Sequence, residues 1–581
     1  MKFTLRLFLL FAVVFSNQHI FSQQNQPLPK GLTEVEKGLI TDYQFTKPQR
    51  TPAPSSPVRA AAEWEEVEYL VVTWENNYPN ILRQIVAVGV QEATVVIITQ
   101  NENGVNDYLE NNGVDTSNII YLNRDWDSIW IRDYAGNTVY TDDVGERALV
   151  DWIYNRPRPN DDDAPAAHAA LLGIDFYETN SSPNDLVNTG GNYMSDGLGN
   201  AFASELILEE NQAGNPYGVS AKSEAQIDQI MEDYMGITNY IKMETLPYDA
   251  IHHIDMHMKL LDEETLLVSR YPEGVADGPQ IEENIDYVLS NFNSPFGTPY
   301  KVKWIDAPPS TSGNYPDNNG YYRTYSNSLI INKSILLPTY RPEVDAAAIA
   351  YYEELMPGYN VVGIDVDNND EPLIAATGAI HCITHTIGVS QPLLIVHQPI
   401  ADAVPSSTVT IDASIKHISD IAGAKVFWRI QGETDYQEVA MNAAGDDVWT
   451  AELNMPDASG VVEYYIWAEA NSGKSLTRPL VAPEGFWRIN VELLATQEFA
   501  EASIAGPYPN PTTGAVKFNF TTPFSNMNVS ITNILGQELF SQDFDNVQGE
   551  LSLDLQSQWQ GTLFATFSGD FGNVTKKILK L

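Results

Sequence analysis

Apolar residues recur at helical spacing from Ile81 to Val88, and the run Thr94 to Thr99 that follows is short and β-branched, which predicts a buried strand. The same succession of helix and strand returns four more times. It runs from His168 to Leu172 into Ile174 to Tyr177, from Ser223 to Met235 into Tyr240 to Glu244, from Ile281 to Phe292 into Lys301 to Ile305, and from Val344 to Met356 into Asn360 to Ile364. Each unit is followed within about thirty residues by a short stretch rich in chemically capable side chains. These stretches are Trp126 to Asp133, Thr189 to Asn192, His252 to His257, Tyr325 to Asn327 and Gly378 to Cys382. Five repeats that each deliver a polar loop predict a ring with a central site, since a stacked solenoid would keep a more regular period.

Outside the repeats the texture changes. Lys2 and Arg6 precede the apolar run Leu7 to Phe15, and Ser22 suits a cleavage site, so residues 1–22 read as a signal peptide. Residues 23–62 are polar and dotted with proline, which predicts an extended linker or pro-segment without a core of its own. The repeats occupy 63–400. Beyond Pro399, short strands such as Thr408 to Ser414, Lys425 to Ile430 and Val461 to Glu469 predict a small β-sandwich over 401–493, one without a disulfide because it has no cysteine. Pro507 to Gly514 then punctuates the chain and opens a last β module, 505–581. No run after the leader reaches the length of a membrane helix.

Charge narrows the partners. Against 77 acidic side chains stand 32 basic ones, a formal charge of -45, which repels nucleic acid and anionic lipid and favours cationic ligands. Solubility in a salty exterior explains the same excess.

Cys382 is the only cysteine of the 581 residues. Exported proteins normally pair their cysteines, so a lone one is either a small buried hydrophobe or a reactive thiol. Gly378 permits close approach of a backbone or ligand, and His381 and His385 bring imidazoles near the sulfur. His253 and Asp255 lie in a segment with β-like alternation and so share a face, where a carboxylate can hold a cation while an imidazole moves protons. His257 falls on that face too, leaving open a metal site that would need a further ligand. Trp130 and Asp133 add an indole and a second carboxylate, and a planar cation between two carboxylates and an indole is how a guanidinium is best bound. The glycine turn Thr189 to Asn192 has no P-loop lysine and instead lets the backbone approach a ligand or shape a hairpin. Arg156 and Arg158, held rigid around Pro157, suit a small anion such as a carboxylate, with ion pairing to Asp161, Asp162 and Asp163 as the rival.

Taken in order, Trp130 to Asp133, Gly190 to Asn192, His253 to Asp255, Asn327 and Ile380 to Cys382 resemble the guanidino-group-modifying superfamily. The resemblance is closest to the Porphyromonas-type peptidylarginine deiminases, relatives of agmatine deiminases, and covers residues 63 to 400. It implies an α/β fold, the five-bladed α/β propeller called pentein. It implies that Asp133 and Asp255 clamp the guanidinium, His253 is the general acid and base, Asn327 assists near the thiol and Cys382 attacks the guanidine carbon. Trp130, Asn192 and Ile251 would line the substrate, and Arg156 with Arg158 would grip the carboxylate of a C-terminal arginine. Neither metal nor organic cofactor is implied. Two departures stand out: Ala250 where a substrate-site tyrosine is expected, and Ile383 to His385 rather than the Thr-x-Gln of agmatine deiminases. The sandwich resembles the immunoglobulin-like domain of the same enzymes. The last module, with Tyr508 to Pro511, Thr532 to Gln537 and a basic tail, resembles the type IX secretion sorting domain, which implies the type IX machinery as partner and a secreted or outer-membrane surface location. The expected activity is conversion of peptidyl arginine, preferably C-terminal, to citrulline and ammonia through a cysteine thiouronium. Agmatine or free arginine as substrate, or a non-catalytic surface adhesin, are the alternatives.

Overall fold

The computed structural model describes residues 27–46, 51–492, 503–524, 526–569 and 572–581, so the expected signal peptide lies outside the described residues. Between residues 58 and 388 the chain forms five small mixed sheets. Each contains a parallel pair joined across a helix: Val67–Thr73 with Thr94–Ile98, Arg147–Tyr154 with Asp175–Thr179, Asn200–Ser204 with Asn239–Met243, Thr265–Arg270 with Lys301–Asp306, and Ser334–Thr339 with Asn360–Asp365. The helices between them, Pro79–Glu92, Ala164–Leu172, Glu224–Met235, Asp277–Asn291 and Pro342–Leu355, are those the helical spacing predicts, because parallel strands need a crossover long enough to bury an amphipathic face. Pro79–Glu92 illustrates this: Ile81, Leu82, Ile85 and Val86 are buried, and the carboxylate of Glu371 accepts from the free N–H groups of Asn80 and Ile81.

Each of these five pairs also carries an antiparallel partner. In four sheets it comes from the preceding strand, but Val67–Thr73 pairs with His385–Gly388, from the far end of the region, with His385 opposite Val71. The first repeat is thereby completed by the last segment, and the strand that does so begins three residues after Cys382.

Residues 393–491 form two sheets around a shared core that includes Ile411, Ala413, Val426, Val462, Ile466 and Ile489. Arg478 of this part pairs with Glu263 of the repeat region at 3.0 Å. Residues 504–580 form two further sheets around Phe518, Phe520, Val529 and Phe567.

The extended tether expected over 23–62 is not what residues 27–46 form. Thr33 and Glu36 make a reciprocal capping box on the helix Glu34–Leu39, and Ile40 and Phe45 are buried in a cluster with Ile153, Val187, Tyr217 and Val219. A few well-spaced apolar residues suffice for docking, whereas the average over a proline-dotted stretch conceals them.

Two glycines let the loops of the repeats meet. A Cβ on Gly190 would stand 2.0 Å from the carbonyl oxygen of Arg132, and one on Gly378 would stand 2.4 Å from the Trp130 ring. Gly378→Ala is therefore expected to destabilise the repeat region by about 1–3 kcal/mol, because the fully buried indole has nowhere to move. The urea midpoint should fall with its slope unchanged.

Candidate active site

Cys382 sits in the 3-10 turn His381–Ile383 and is completely buried. The Asn327 side chain fixes its surroundings. Its amide N–H donates to the Cys382 Sγ at 3.3 Å and to the Asp255 carbonyl at 3.1 Å, while its Oδ1 accepts from the His381 N–H at 3.1 Å. Asp255 Oδ2 lies 3.5 Å from the sulfur. One amide thus ties together three loops that are far apart in sequence.

The segment around His253 is not a strand. Ile254–Met256 is a 3-10 turn, and the face-sharing expected from alternation gives way to a tight bend. His253 and Asp255 both still enter the site, but His257 turns away to the Asp249 carboxylate at 3.1 Å, so the three do not converge as metal ligands would. Among the described residues no group of three or more His, Cys, Asp or Glu side chains is placed to hold a metal. His253 Nδ1 lies 3.3 Å from Asp133 Oδ1, and its Nε2 is 2.9 Å from the Thr189 hydroxyl. Gly191 packs on this pair: a Cβ there would stand 2.5 Å from His253 Nδ1 and 2.7 Å from Asp133 Oδ1. The glycine turn therefore serves an approach to the imidazole and carboxylate themselves.

Into this sealed space reaches a side chain that sequence reasoning missed. Lys30, fully buried, places its Nζ 2.9 Å from the Cys382 Sγ and 3.6 Å from Asp255 Oδ1. Burial would discharge such an ammonium, but Asp133, Asp255 and the thiol outweigh it and hold the lysine charged, above its ordinary value. The carboxylates respond in kind. Burial, the largest single influence, pushes Asp133 and Asp255 up, yet Lys30 acting together with His253 at Asp133, and with His381 and His253 at Asp255, outweighs it, and both carboxyls sit below the usual range. Burial, with Asp255 next, drives the Cys382 thiol up to about 12, and Lys30 only partly opposes this. Burial also lowers His253, against the pull of Asp133, which favours a neutral imidazole.

A second rank of charges backs the first. His381 bridges Asp255 Oδ2, at 2.9 Å, and Glu63 Oε2, at 2.8 Å, and Glu63 in turn meets Lys259 at 2.5 Å. Nothing about Glu63 in the sequence marks it, because it lies in a segment with no repeat and no motif. His385, also near the cysteine in sequence, is spent on the Gly136 carbonyl at 3.0 Å.

Of the remaining predicted residues, Trp130, Arg156, Arg158 and Ile251 form a rim around residues 28–36. The Trp130 indole N–H donates to the Leu28 carbonyl at 2.9 Å, and Arg156 Nε donates to that of Lys30 at 3.2 Å. Arg158 donates to the Pro29 and Gly31 carbonyls at 2.8 and 3.2 Å and to the Glu36 carboxylate at 2.7 and 3.3 Å. Both arginines are buried, and Arg158's ion pair is with Glu36 rather than with the nearby acidic run; the Asp161 carboxylate accepts from Asp127 and Ser128 instead. Ile251 lies beside Gly31. The Asn192 side chain exchanges hydrogen bonds with the backbone of Ser204, at 2.8 and 3.4 Å, and so braces its own loop.

This arrangement has relatives. A protein of Yersinia pseudotuberculosis named "Putative agmatine deiminase" is 26% identical over 295 residues, 47% of this chain and 77% of its own. One of the same name from Streptococcus mutans is 27% identical over 294 residues, 46% of this chain and 76% of its own. An X-ray structure, also named putative agmatine deiminase, superposes with a TM-score of 0.50 at 20% identity, covering 59% of this chain and 100% of that one, and so shares the fold. Residues 507–580 match the secretion system C-terminal sorting domain, which marks the chain for type IX secretion or attachment at the cell surface. No helix among the described residues is long and apolar enough to cross a membrane. Residues 57–387 match the model of the Porphyromonas-type peptidyl-arginine deiminases, and this chain belongs to that family.

Proposed function

We propose that the protein hydrolyses the guanidinium of peptidyl arginine to citrulline and ammonia, with Cys382 as nucleophile. The observation that carries this reading is the position of Lys30: a cation seated on a buried thiol, in the field of Asp133 and Asp255. A guanidinium entering that seat brings its electrophilic carbon to the sulfur. Its charge also takes over from Lys30 the task of opposing burial and the two carboxylates, which together push the thiol up.

In the proposed sequence the Cys382 proton passes to the neutral imidazole of His253 and the sulfur bonds to the guanidine carbon. His253 returns the proton to the departing nitrogen, which leaves as ammonia when its bond to carbon breaks. The thiouronium that results is attacked by water, from which His253 removes a proton. The carbon–sulfur bond then breaks, releasing citrulline and regenerating the thiol. Asp133 and Asp255 orient the guanidinium throughout, and Asn327 holds the sulfur in line.

A peptide rather than agmatine is favoured by the rim. Trp130, Arg156 and Arg158 all donate to main-chain carbonyls, and Arg158 takes a carboxylate besides, groups that agmatine lacks. The carboxylate of Glu36 stands where that of a C-terminal arginine would be gripped. We read the five sheets as blades of one closed pentein ring over 63–400, followed by an immunoglobulin-like domain, 401–493, and the sorting module, 505–581.

The test is ammonia and citrulline release by protein whose N-terminal segment has been cut free, since Lys30 otherwise fills the seat. Cys382→Ala and iodoacetamide should each abolish turnover, and a chelator should not. Equal kcat/KM for agmatine and for a peptide ending in arginine would defeat the peptidyl assignment. Arg156→Ala should raise KM for that peptide by roughly tenfold with kcat little changed, the loss of one charge-assisted hydrogen bond made equally in ground and transition states.

A further inference from the structure

We propose that the cleft over Cys382 is a peptide-binding site whose resident ligand is this chain's own residues 28–36, an unreactive stand-in for substrate that keeps the chain latent until the segment leaves. The proposal rests on the function above for what the site would otherwise take, but the occlusion is independent of it.

The segment engages the site as a ligand does, at side chain and main chain together. Lys30 supplies the cation, with its Nζ 2.9 Å from the sulfur, and four consecutive carbonyls, from Leu28 to Gly31, accept from Trp130, Arg156 and Arg158. The Glu36 carboxylate completes the set on Arg158 at 2.7 Å. Lysine suits the role because its ammonium is bonded only to a saturated carbon. It fills the cation seat yet offers the thiol no guanidine carbon to attack. With the segment in place, Cys382, His253 and Asn327 have no exposure, so no other ligand can reach them.

The segment is also tethered outside the site. Ile40 and Phe45 pack against Ile153, Val187, Tyr217 and Val219, and the Lys30 N–H donates to the Ala376 carbonyl at 3.3 Å. A ligand joined to its receptor competes at a high effective concentration, so an external substrate meets a site whose free fraction is small. Ser55, exposed between Pro54 and Ser56, lies just before the strand Val58–Ala60, where a cut would end that advantage without touching the site.

The experiment places a specific protease site at Ser55 and Ser56 in the full chain, cuts the folded protein and separates the released peptide. A second cut variant carries Lys30→Ala and Glu36→Ala, which remove both charges holding the segment, so that release does not depend on cutting alone. The first readout is alkylation of Cys382, the sole cysteine, by iodoacetamide. Its rate should rise by about tenfold or more on release, as the competent fraction grows. An unchanged rate in both released forms would overturn the proposal. The second readout uses uncut Lys30→Arg protein, in which residue 30 should be converted once to citrulline, and should stay arginine when Cys382→Ala is added. An introduced arginine left intact in the uncut chain, when the same chain once cut deiminates added peptide, would also overturn it. Faster alkylation with no citrulline from any guanidine would uphold the occlusion and sink the deiminase reading instead.

Discussion

The site is organised by the need to neutralise two carboxylates in a space closed to water. Asp133 and Asp255 are each 1% exposed, and both are held ionised. Ionised groups so deeply buried are tolerated only when a cation and hydrogen bonds replace their hydration. Lys30 supplies the cation, His253 and His381 share the remainder, and Glu63 with Lys259 balances His381 from behind. Remove the lysine, and the same carboxylates become a strong seat for another cation. That single electrostatic requirement links the N-terminal segment to the surroundings of the thiol.

Meeting the requirement depends on close backbone packing. The loops bearing Asp133, His253 and Cys382 approach one another at distances that a Cβ would forbid at Gly190, Gly191 and Gly378. Asn327 then bonds to the sulfur and to both neighbouring loops, so the positions of thiol and carboxylate are set by one amide. The pairing of His385–Gly388 with Val67–Thr73 anchors the cysteine loop to the first sheet, and with it to Glu63 just before that strand. Strain on either element would be felt at the thiol.

Much of this is legible in the chain. The five helix-and-strand units stand out because crossover helices must show apolar residues at helical spacing and buried strands must be short and β-branched. Trp130, Asp133, His253, Asp255, Asn327 and Cys382 stand out because they are residues able to do chemistry, clustered in loops between those units. His257 departs from its expected place because alternation implies a strand, and a 3-10 turn rotates the third residue elsewhere. Arg156 and Arg158 leave two partners open in the sequence, a small anion or the adjacent acidic run, and the carboxylate that Arg158 takes is that of Glu36, distant along the chain.

The sequence by itself determined the repeat count, the positions of the crossover helices and the inventory of side chains able to do chemistry, since each follows from local pattern and residue type. Only the tertiary structure decided which of them meet. Lys30 and Glu63 carry no motif, and their roles arise because charge in a buried site must balance over a few ångströms, whatever the separation along the chain. The tethered lysine on the thiol is therefore visible only once the fold has brought the first described residues to the last of the five loops.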